Sequence, residues 1–167
     1  LVVGPGLTRA EDRAGLAALW REDPRPAVWD ASGLAEIAGP SSRPRVVTPH
    51  PAEAARLLSQ GTGSPWTAAR VQAERVAAAR VLATLTGAVA VLKGEGTLVT
   101  DGPRLAVCTT GGPALATAGS GDCLAGLIAA LLARGLPPWE AACAGVHLHG
   151  AAGDRLPIGA VALEVAD

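Results

Sequence analysis

The sequence contains no Met, Phe or Tyr, and it has only three Cys residues in 167 positions. Cys108, Cys123 and Cys143 lie far apart and form no CxxC pair, which excludes the usual zinc and redox spacings. The three His residues add no familiar metal-ligand spacing, so we predict no metal site built from protein side chains. An odd number of Cys residues is typical of a reduced cytoplasmic protein and not of a disulfide scaffold.

The chain also lacks a strong charge of either sign and a long hydrophobic run. Its net charge is -1 and it has no basic cluster, which argues against a nucleic-acid or membrane-surface partner held by charge. The longest apolar segment, residues 123–133, is shorter than the about 20 residues that cross a bilayer. Its first residues show no signal-peptide pattern. We therefore expect a cytoplasmic protein with no nucleic-acid or membrane partner.

Three common motifs are missing as well. The chain has no GxGxxG dinucleotide fingerprint, no GxxxxGK[ST] P-loop and no GxSxG nucleophile elbow. The motifs thus assign the chain to no Rossmann, P-loop or α/β-hydrolase class. Ser120 lies between two glycines outside any such elbow, and we do not expect it to be a nucleophile.

The residues that are present predict a layered α/β domain. Hydrophobic residues make up 49% of the sequence, and short β-type runs alternate with helix-type segments in a single domain over residues 1–167. Strands are predicted at residues 1–3, 27–29, 45–47, 88–92, 97–100 and 104–108. Helices are predicted from Thr8 (with Glu11 as its N3 partner), from Pro51 to Leu58, from Thr67 to Gly87, and over about 123–135 and 137–153.

The strongest chemical signal is the glycine-rich segment 117–122, which leads into an apolar helix. Small residues let the backbone approach a ligand, and the free N–H groups of a helix N-terminus favour an anion. Asp122 in that first turn has two interpretations. It either caps the helix, or it acts as a base beside a phosphate-binding turn. Both stay open, and the extra glycines of residues 109–113 favour chemistry.

Two further segments follow predicted strands. Lys93, followed by two glycines, either presents its ammonium to a nucleotide or faces water in a hairpin turn. His50, held between two prolines, either contacts a substrate or belongs to a structural turn. Gly6 in the turn after the first strand is a weaker signal, because glycines are common at strand ends.

Six segments together resemble, in content and order, the ADP/ATP-dependent NAD(P)H-hydrate dehydratases of the ribokinase-like superfamily. They are Gly4-Pro5-Gly6, Trp29-Asp30, TPHPAE (48–53), KGEGT (93–97), TGGPALATAGSGD (110–122) and GVHLHGAAGD (145–154). TPHP and KGxGT are specific to this family, whereas GxGD is shared with many sugar and vitamin kinases. The resemblance implies a three-layer α/β/α sandwich with a mostly parallel central sheet.

The resemblance also implies a reaction. ADP in bacteria, or ATP in eukaryotes, phosphorylates the hydroxyl of hydrated NADH or NADPH, and loss of phosphate restores the nicotinamide. Mg²⁺ neutralises the transferring phosphate, and the family forms homo-oligomers. The implied roles fall on four groups of residues: Asp122 as the base, Gly119, Ser120 and Gly121 as the anion hole, Lys93, Gly94, Glu95, Gly96, Thr97 and Gly121 around the nucleotide, and Gly6, His50 and Asp122 around the substrate.

The family pattern further implies that part of the N-terminal region is missing here, including a first strand and helix and a lysine-glycine segment near the substrate. Two alternatives stay open. A ribokinase-like kinase of a vitamin precursor or sugar shares the GxGD turn, although it is not expected to show TPHPxE and KGxGT together. A truncated homologue that binds nucleotide without catalysis is the other.

Overall fold

One twisted sheet forms the frame that carries the predicted site. The computed structural model describes residues 1–9 and 13–166, apart from the side chain of Ala166. In this part of the chain the strands follow one another across the sheet in sequence order: β1 (Val2–Val3), β2 (Ala27–Trp29), β3 (Arg45–Val47), β4 (Val89–Leu92), β5 (Leu98–Thr100) and β6 (Leu105–Val107). Strands β1 to β4 pair in parallel, and β4, β5 and β6 pair antiparallel. The predicted mostly parallel sheet is therefore confirmed.

Helices cover both faces of this sheet. One face carries α1 (Leu16–Glu22), α2 (Pro51–Thr62), α3 (Ala68–Ala73) and α4 (Arg75–Thr86), and the other carries α5 (Ser120–Ala133), α6 (Pro138–Gly153) and the short α7 (Ala162–Ala166). Strand β4 shows the two-sided burial directly, because Ala90 and Leu92 pack in the first core while Val89 and Val91 pack in the second. The three-layer α/β/α architecture is confirmed.

The apolar stripe predicted for the helix after residue 120 forms the buried face of α5. Leu124, Ile128 and Leu132 are at most 4% exposed and pack in the core between α5, α6 and the sheet. Of the helices in residues 1–9 and 13–166, none is long and apolar enough to span a membrane.

The start of the first predicted helix needs correction. Helix α1 begins at Leu16 and not after Thr8, because Gly15 adopts a left-handed φ of 84° and occupies the N-cap position. The N-cap makes no side-chain hydrogen bond. The predicted N3 partner, Glu11, lies outside the described residues.

Two other helix boundaries differ from the prediction because of packing between helices. Helix α2 continues past Leu58 into the predicted loop, where a Cβ at Gly61 would lie 2.7 Å from the side chain of Leu85. Glycine at this position therefore allows α2 and α4 to approach closely. The single helix predicted from Thr67 is divided at Glu74, whose φ of -118° and ψ of 39° are not helical.

The strands predicted at residues 97–100 and 104–108 form a hairpin around Asp101-Gly102, in which Thr100 pairs antiparallel with Leu105. The turn is closed by side chains, since the Asp101 carboxylate accepts from the Arg104 main-chain N–H at 2.9 Å and from its guanidinium at 2.8 Å. These bonds lower the pKa of Asp101 against the opposing effect of burial, which is the largest single influence on it.

A buried arginine that the sequence analysis did not single out ties α1 to the sheet. Arg45 in β3 is 1% exposed, and its guanidinium donates to the main-chain carbonyls of Leu19, Trp20, Asp23 and Arg25 at 2.6 to 3.1 Å. These carbonyls lie in and just beyond the last turn of α1, where most C=O groups have no intrahelical partner. Leu19 O also accepts from Asp23 N–H, and Trp20 O also accepts from Ser41 Oγ. Arg45 thus caps the C-terminus of a neighbouring helix from within a strand.

Candidate active site

The predicted site segments meet at one edge of the sheet. Because β1 to β4 are parallel, their carboxyl ends share an edge, which is where open α/β sheets bind ligands. Gly6, Asp30, His50 and Lys93 each follow the end of one of these strands. Topology alone therefore brings residues as far apart in sequence as Gly6 and Lys93 to a single edge of the fold.

A cavity of about 600 Å³ opens at this edge. It lies between the turn 93–97, the segment 108–117, the first turn of α5 and the last turns of α6. Its volume is within the range of pockets that bind small molecules. Of the predicted residues, Lys93, Gly94, Glu95, Gly96, Thr97, Ser120 and Gly121 line it, whereas Gly6, His50, Gly119 and Asp122 do not.

Lys93 does not face water as a simple hairpin lysine would. Its Nζ donates to Oδ1 of Asp30 at 2.7 Å, and the Asp30 side chain is only 2% exposed. A Cβ placed on Gly121 would lie 3.2 Å from Lys93 Nζ and 3.7 Å from Asp30 Oδ2. The ion pair therefore lies directly beneath the first turn of α5, and glycine at position 121 leaves the ammonium open to the cavity.

The start of α5 leaves main-chain donors free. Gly119 occupies the N-cap with a left-handed φ of 86° and no side-chain cap bond. Ser120 N–H donates to Thr117 O at 3.3 Å, and Asp122 N–H to Gly119 O at 3.0 Å. Within the described residues the N–H groups of Gly119 and Gly121 have no protein acceptor. Together with the helix dipole, these two donors favour an anion at this position.

Asp122 has an exposed side chain in the first turn of α5. In the described part of the chain its carboxylate forms no ion pair and caps no main-chain N–H. No hydrogen bond therefore supports the interpretation of Asp122 as a helix cap, and its carboxylate lies free beside Gly121. Its assignment as a base stays a prediction.

His149 is a site residue that the sequence analysis did not assign. Its Nε2 lies 3.0 Å from the main-chain carbonyl of Ser120 and 3.2 Å from Ser120 Oγ. A carbonyl oxygen only accepts, so Nε2 carries the ring proton and is unable to take the proton of the Ser120 hydroxyl. This arrangement argues against a Ser–His nucleophile pair, and it fixes the first turn of α5 to α6.

Burial is the main cause of a lowered pKa at His149, the hydrogen bond to Ser120 opposes it, and the nearby Lys93 charge lowers it further. The imidazole is thus neutral in the folded protein at neutral pH. A depressed histidine pKa stabilises the fold above the unfolded value, near 6.5, and that stability is lost as pH falls toward the folded value.

We therefore predict that the free energy of unfolding decreases as pH falls below 6.5, with a His149 contribution of at most about 1.4 kcal/mol per pH unit. The His149→Gln variant keeps an N–H donor for Ser120 but does not titrate, so its unfolding free energy should show a flatter pH profile over this window. His147, exposed on the same helix, provides the matched control, and His147→Gln should keep the wild-type profile. Parallel profiles for wild type and His149→Gln in urea denaturation series would contradict the assignment.

His50 takes part in a local capping box at the start of α2. Its Nδ1 accepts from Ala52 N–H at 3.1 Å, and Glu53 Oε2 accepts from His50 N–H at 2.8 Å. These two hydrogen bonds are what the structural-turn interpretation of His50 predicts. The His50 side chain remains half-exposed at the site edge, so its contact with substrate stays a prediction.

In the Gly4-Pro5-Gly6 turn, Gly4 is the glycine that close packing requires. A Cβ on Gly4 would overlap the carbonyl of Asp30 and would lie 2.7 Å from Gly33 N. A Cβ on Gly33 would in turn lie 2.7 Å from Val3 O, so the two glycines allow β1 and the end of β2 to touch. Gly6 has open space around its Cβ position, and its role in binding substrate stays a prediction.

A second missed residue, Asp154, fixes the loop on the opposite side of the cavity. Its carboxylate oxygens accept from Gly111 N–H at 3.0 and 3.1 Å, and Thr110 Oγ1 donates to His147 O at 3.0 Å. Asp154 belongs to the GVHLHGAAGD segment quoted above. The family resemblance included this segment, but only the structure shows that Asp154 pairs with Gly111.

Together these features of the site define an α/β protein with an anion site at the carboxyl edge of its parallel strands. Over residues 1–164 the chain matches the sequence family described as NAD(P)H-hydrate dehydratase. The chain therefore belongs to the NAD(P)H-hydrate dehydratase family, and the resemblance found in its motifs is confirmed.

Individual relatives agree with this assignment. The chain is 46% identical over 165 residues to the ADP-dependent (S)-NAD(P)H-hydrate dehydratase of Neisseria meningitidis, covering 92% of this chain and 53% of that protein. An ADP/ATP-dependent NAD(P)H-hydrate dehydratase of Bacillus subtilis, co-crystallized with ATP/Mg²⁺, matches with a TM-score of 0.85 and 31% identity over 99% of this chain and 60% of that one. A ribokinase-like superfamily protein of Enterococcus faecalis matches with a TM-score of 0.74 and 26% identity, over 99% of this chain and 59% of that one. The chain thus spans about half to three-fifths of the length of these relatives.

Proposed function

We propose that this chain carries the nucleotide site and the catalytic base of an enzyme that dehydrates hydrated NADH or NADPH with ADP or ATP as phosphoryl donor. The observation that carries the proposal is the position of Gly121. It lies at the α5 N-terminus, lines the 600 Å³ cavity, and stands against the Lys93–Asp30 ion pair. The relatives that support the proposal are dehydratases, and the kinase alternative has no comparable support.

In this mechanism the residues of the chain divide the work of a phosphoryl transfer. The nucleotide occupies the cavity beside residues 93–97, with its terminal phosphate at the free N–H groups of Gly119 and Gly121 and near the Lys93 ammonium. Asp122 accepts the proton of the hydrate hydroxyl while the hydroxyl oxygen attacks the terminal phosphorus. The bond from that phosphorus to the bridging oxygen breaks at the same time, so that AMP leaves from ADP or ADP leaves from ATP. The phosphate ester then breaks at its C–O bond, phosphate leaves with the electron pair, and loss of a ring proton restores the nicotinamide.

The described residues fit a magnesium ion that arrives with the nucleotide. They contain no group of three or more His, Cys, Asp or Glu side chains able to hold a metal by themselves. Mg²⁺ typically keeps several waters and binds substrate phosphates with one or two carboxylates. Glu95 is the carboxylate among the cavity residues that would contribute such a contact. When bound, the ion would neutralise charge on the transferring phosphate.

The proposal is tested by recovery of absorbance at 340 nm from purified NADH hydrate and NADPH hydrate, with ADP, with ATP or without nucleotide. Nucleotide-dependent recovery is expected, and the active donor identifies the phosphoryl source. The reaction without nucleotide provides the control for spontaneous reversal. A folded protein that gives no recovery with either donor would contradict the proposal and favour a non-catalytic nucleotide-binding homologue.

The proposal includes three further expectations from the sequence analysis, which are a cytoplasmic location, a single domain and a homo-oligomeric state.

A further inference from the structure

A half-buried arginine outside the cavity binds the back of the loop 93–97. Arg75, at the start of α4, donates from Nη2 to Leu92 O at 3.1 Å and to Gly96 O at 3.3 Å. Its Nη1 donates to Lys93 O at 3.4 Å and to Gln72 Oε1 at 2.7 Å. One guanidinium therefore binds three carbonyls, one at the end of β4 and two in the loop that follows it.

The loop is shaped to receive this side chain. A Cβ on Gly94 would lie 2.9 Å from Arg75 Nη1, and Gly94 has a φ of 133° that side-chain-bearing residues rarely adopt. Glycine at position 94 thus allows the guanidinium to lie against the backbone. The carbonyls of Lys93 and Gly96 are occupied by Arg75 and are not offered to a ligand in the cavity. Gly94 O accepts from Thr97 Oγ1, and Thr97 O accepts from Cys108 N–H.

The N–H groups of Gly94, Glu95 and Gly96 in this loop are free. In a trans peptide the N–H points opposite to the C=O, so the N–H groups of Gly94 and Thr97 point away from the guanidinium that holds the carbonyls of Lys93 and Gly96. Residues 94 to 96, all of them described, donate no main-chain N–H to a protein acceptor, whereas the Thr97 N–H faces Gly94 O in the turn 94–97. These residues line the cavity, whereas Arg75 does not.

We propose that Arg75 is a positioning residue of the nucleotide site, which fixes the loop 93–97 with its carbonyls turned inward and its N–H groups turned to the phosphates of a nucleoside di- or triphosphate. The inference rests on the proposed function. Arg75 acts through the loop and through the backbone of Lys93, whose side chain is separately held by Asp30. An anion-selective loop of this kind needs its carbonyls withdrawn, because carbonyl oxygens repel phosphate.

The test compares wild type with Arg75→Met, Arg75→Lys and the control Arg80→Met. Arg80 is exposed on the same helix, so its replacement removes the same charge away from the loop. Dissociation constants for Mg·ADP and Mg·ATP are measured by calorimetry, together with thermal unfolding and the nucleotide KM and kcat of hydrate repair. For Arg75→Met we expect dissociation constants and KM about tenfold to hundredfold higher, with kcat at saturating nucleotide within about threefold of wild type. Arg75→Lys should be intermediate, and Arg80→Met should bind as wild type does.

The outcomes distinguish a failure of the Arg75 inference from a failure of the proposed function. If wild type binds nucleotide and Arg75→Met lowers only the unfolding temperature, with nucleotide affinity unchanged where both proteins are folded, Arg75 is merely structural and the inference is wrong. If Arg75→Met does not fold, Arg75→Lys decides by the same criterion. If wild type binds neither nucleotide, the proposed function fails first, and the role of Arg75 in it fails with it.

Discussion

Replacing Asp122 by Asn is expected to lower nucleotide-dependent hydrate repair by about 10²- to 10⁴-fold, the usual contribution of a general base. The physical reason is that the amide has nearly the same shape as the carboxylate but accepts no proton at neutral pH. The Asp122 side chain is exposed and has no partner in the described structure, so the variant leaves no buried group unsatisfied. We therefore expect kcat to fall while nucleotide binding and the unfolding temperature stay close to the wild-type values.

A matched control separates chemistry from the helix dipole. Glu140 is an exposed acidic residue in the first turn of α6, where a carboxylate has the same favourable interaction with a helix N-terminus. It also forms an exposed ion pair with Arg104 at 3.8 Å, whose contribution lies far below the effect expected from a catalytic base. Glu140→Gln should change stability by a few tenths of a kcal/mol to about 1 kcal/mol, as Asp122→Asn should, without loss of activity. Equal kcat values for wild type and Asp122→Asn, measured with saturating hydrate and nucleotide, would show that Asp122 is not the base and that the GxGD turn acts only through its N–H groups.

The strands of this fold were predictable because each is a short apolar run that ends at a turn residue. Strand β4 was the clearest, since its continuous apolar run is what burial on both faces requires. The stripe on α5 was equally clear from its spacing. The start of α1 was not predictable, because it depends on the left-handed conformation of Gly15, which a sequence with many glycines does not single out.

The site was predictable as a set of segments but not as a set of contacts. Glycine-rich turns after strands indicate where a ligand is bound, because topology places strand ends together. The Lys93–Asp30 pair, however, joins residues 63 positions apart, and the His149–Ser120 contact joins residues 29 positions apart. No local pattern encodes such pairs. Sequence reasoning therefore treated Lys93 as a choice between solvent and nucleotide, when its nearest partner is a buried carboxylate.

The contacts of two stabilising arginines were also not predictable from the sequence. Arg45 was included in a predicted strand without comment, and Arg75 in a predicted helix, because a charged residue in either context ordinarily faces water. In both cases the guanidinium instead binds main-chain carbonyls at the end of another element. A planar group with five donors suits this task, since helix and strand ends leave several carbonyls close together.

Arg45→Met is expected to lower the free energy of unfolding by about 3 kcal/mol, because it removes four hydrogen bonds at the C-terminus of α1 and leaves the carbonyls of Asp23 and Arg25 without another protein donor among the described residues. A domain of this size has a total stability of about 5–15 kcal/mol, so the loss should be large on that scale. Arg45→Lys should recover part of it, since an ammonium has fewer donors and no planar fork. The measurement is urea denaturation, in which the midpoint should shift while the slope m stays constant.

The control for this prediction is Arg43→Met. Arg43 is exposed two residues earlier, and the hydrogen bond that it forms with Ser41 uses its main-chain N–H, which the variant keeps. Its stability should remain within about 0.5 kcal/mol of wild type. The contribution of Arg45 also concerns the site, because α1 packs against the strand that leads to Asp30. The ring of Trp20 in α1 packs edge-on against the ring of Trp29, with 5.2 Å between the ring centroids, and Asp30 follows Trp29 directly. Equal free energies of unfolding for Arg45→Met and Arg43→Met would contradict this prediction. They would show that the guanidinium of Arg45 does not stabilise the packing of α1 against the strand that precedes Asp30.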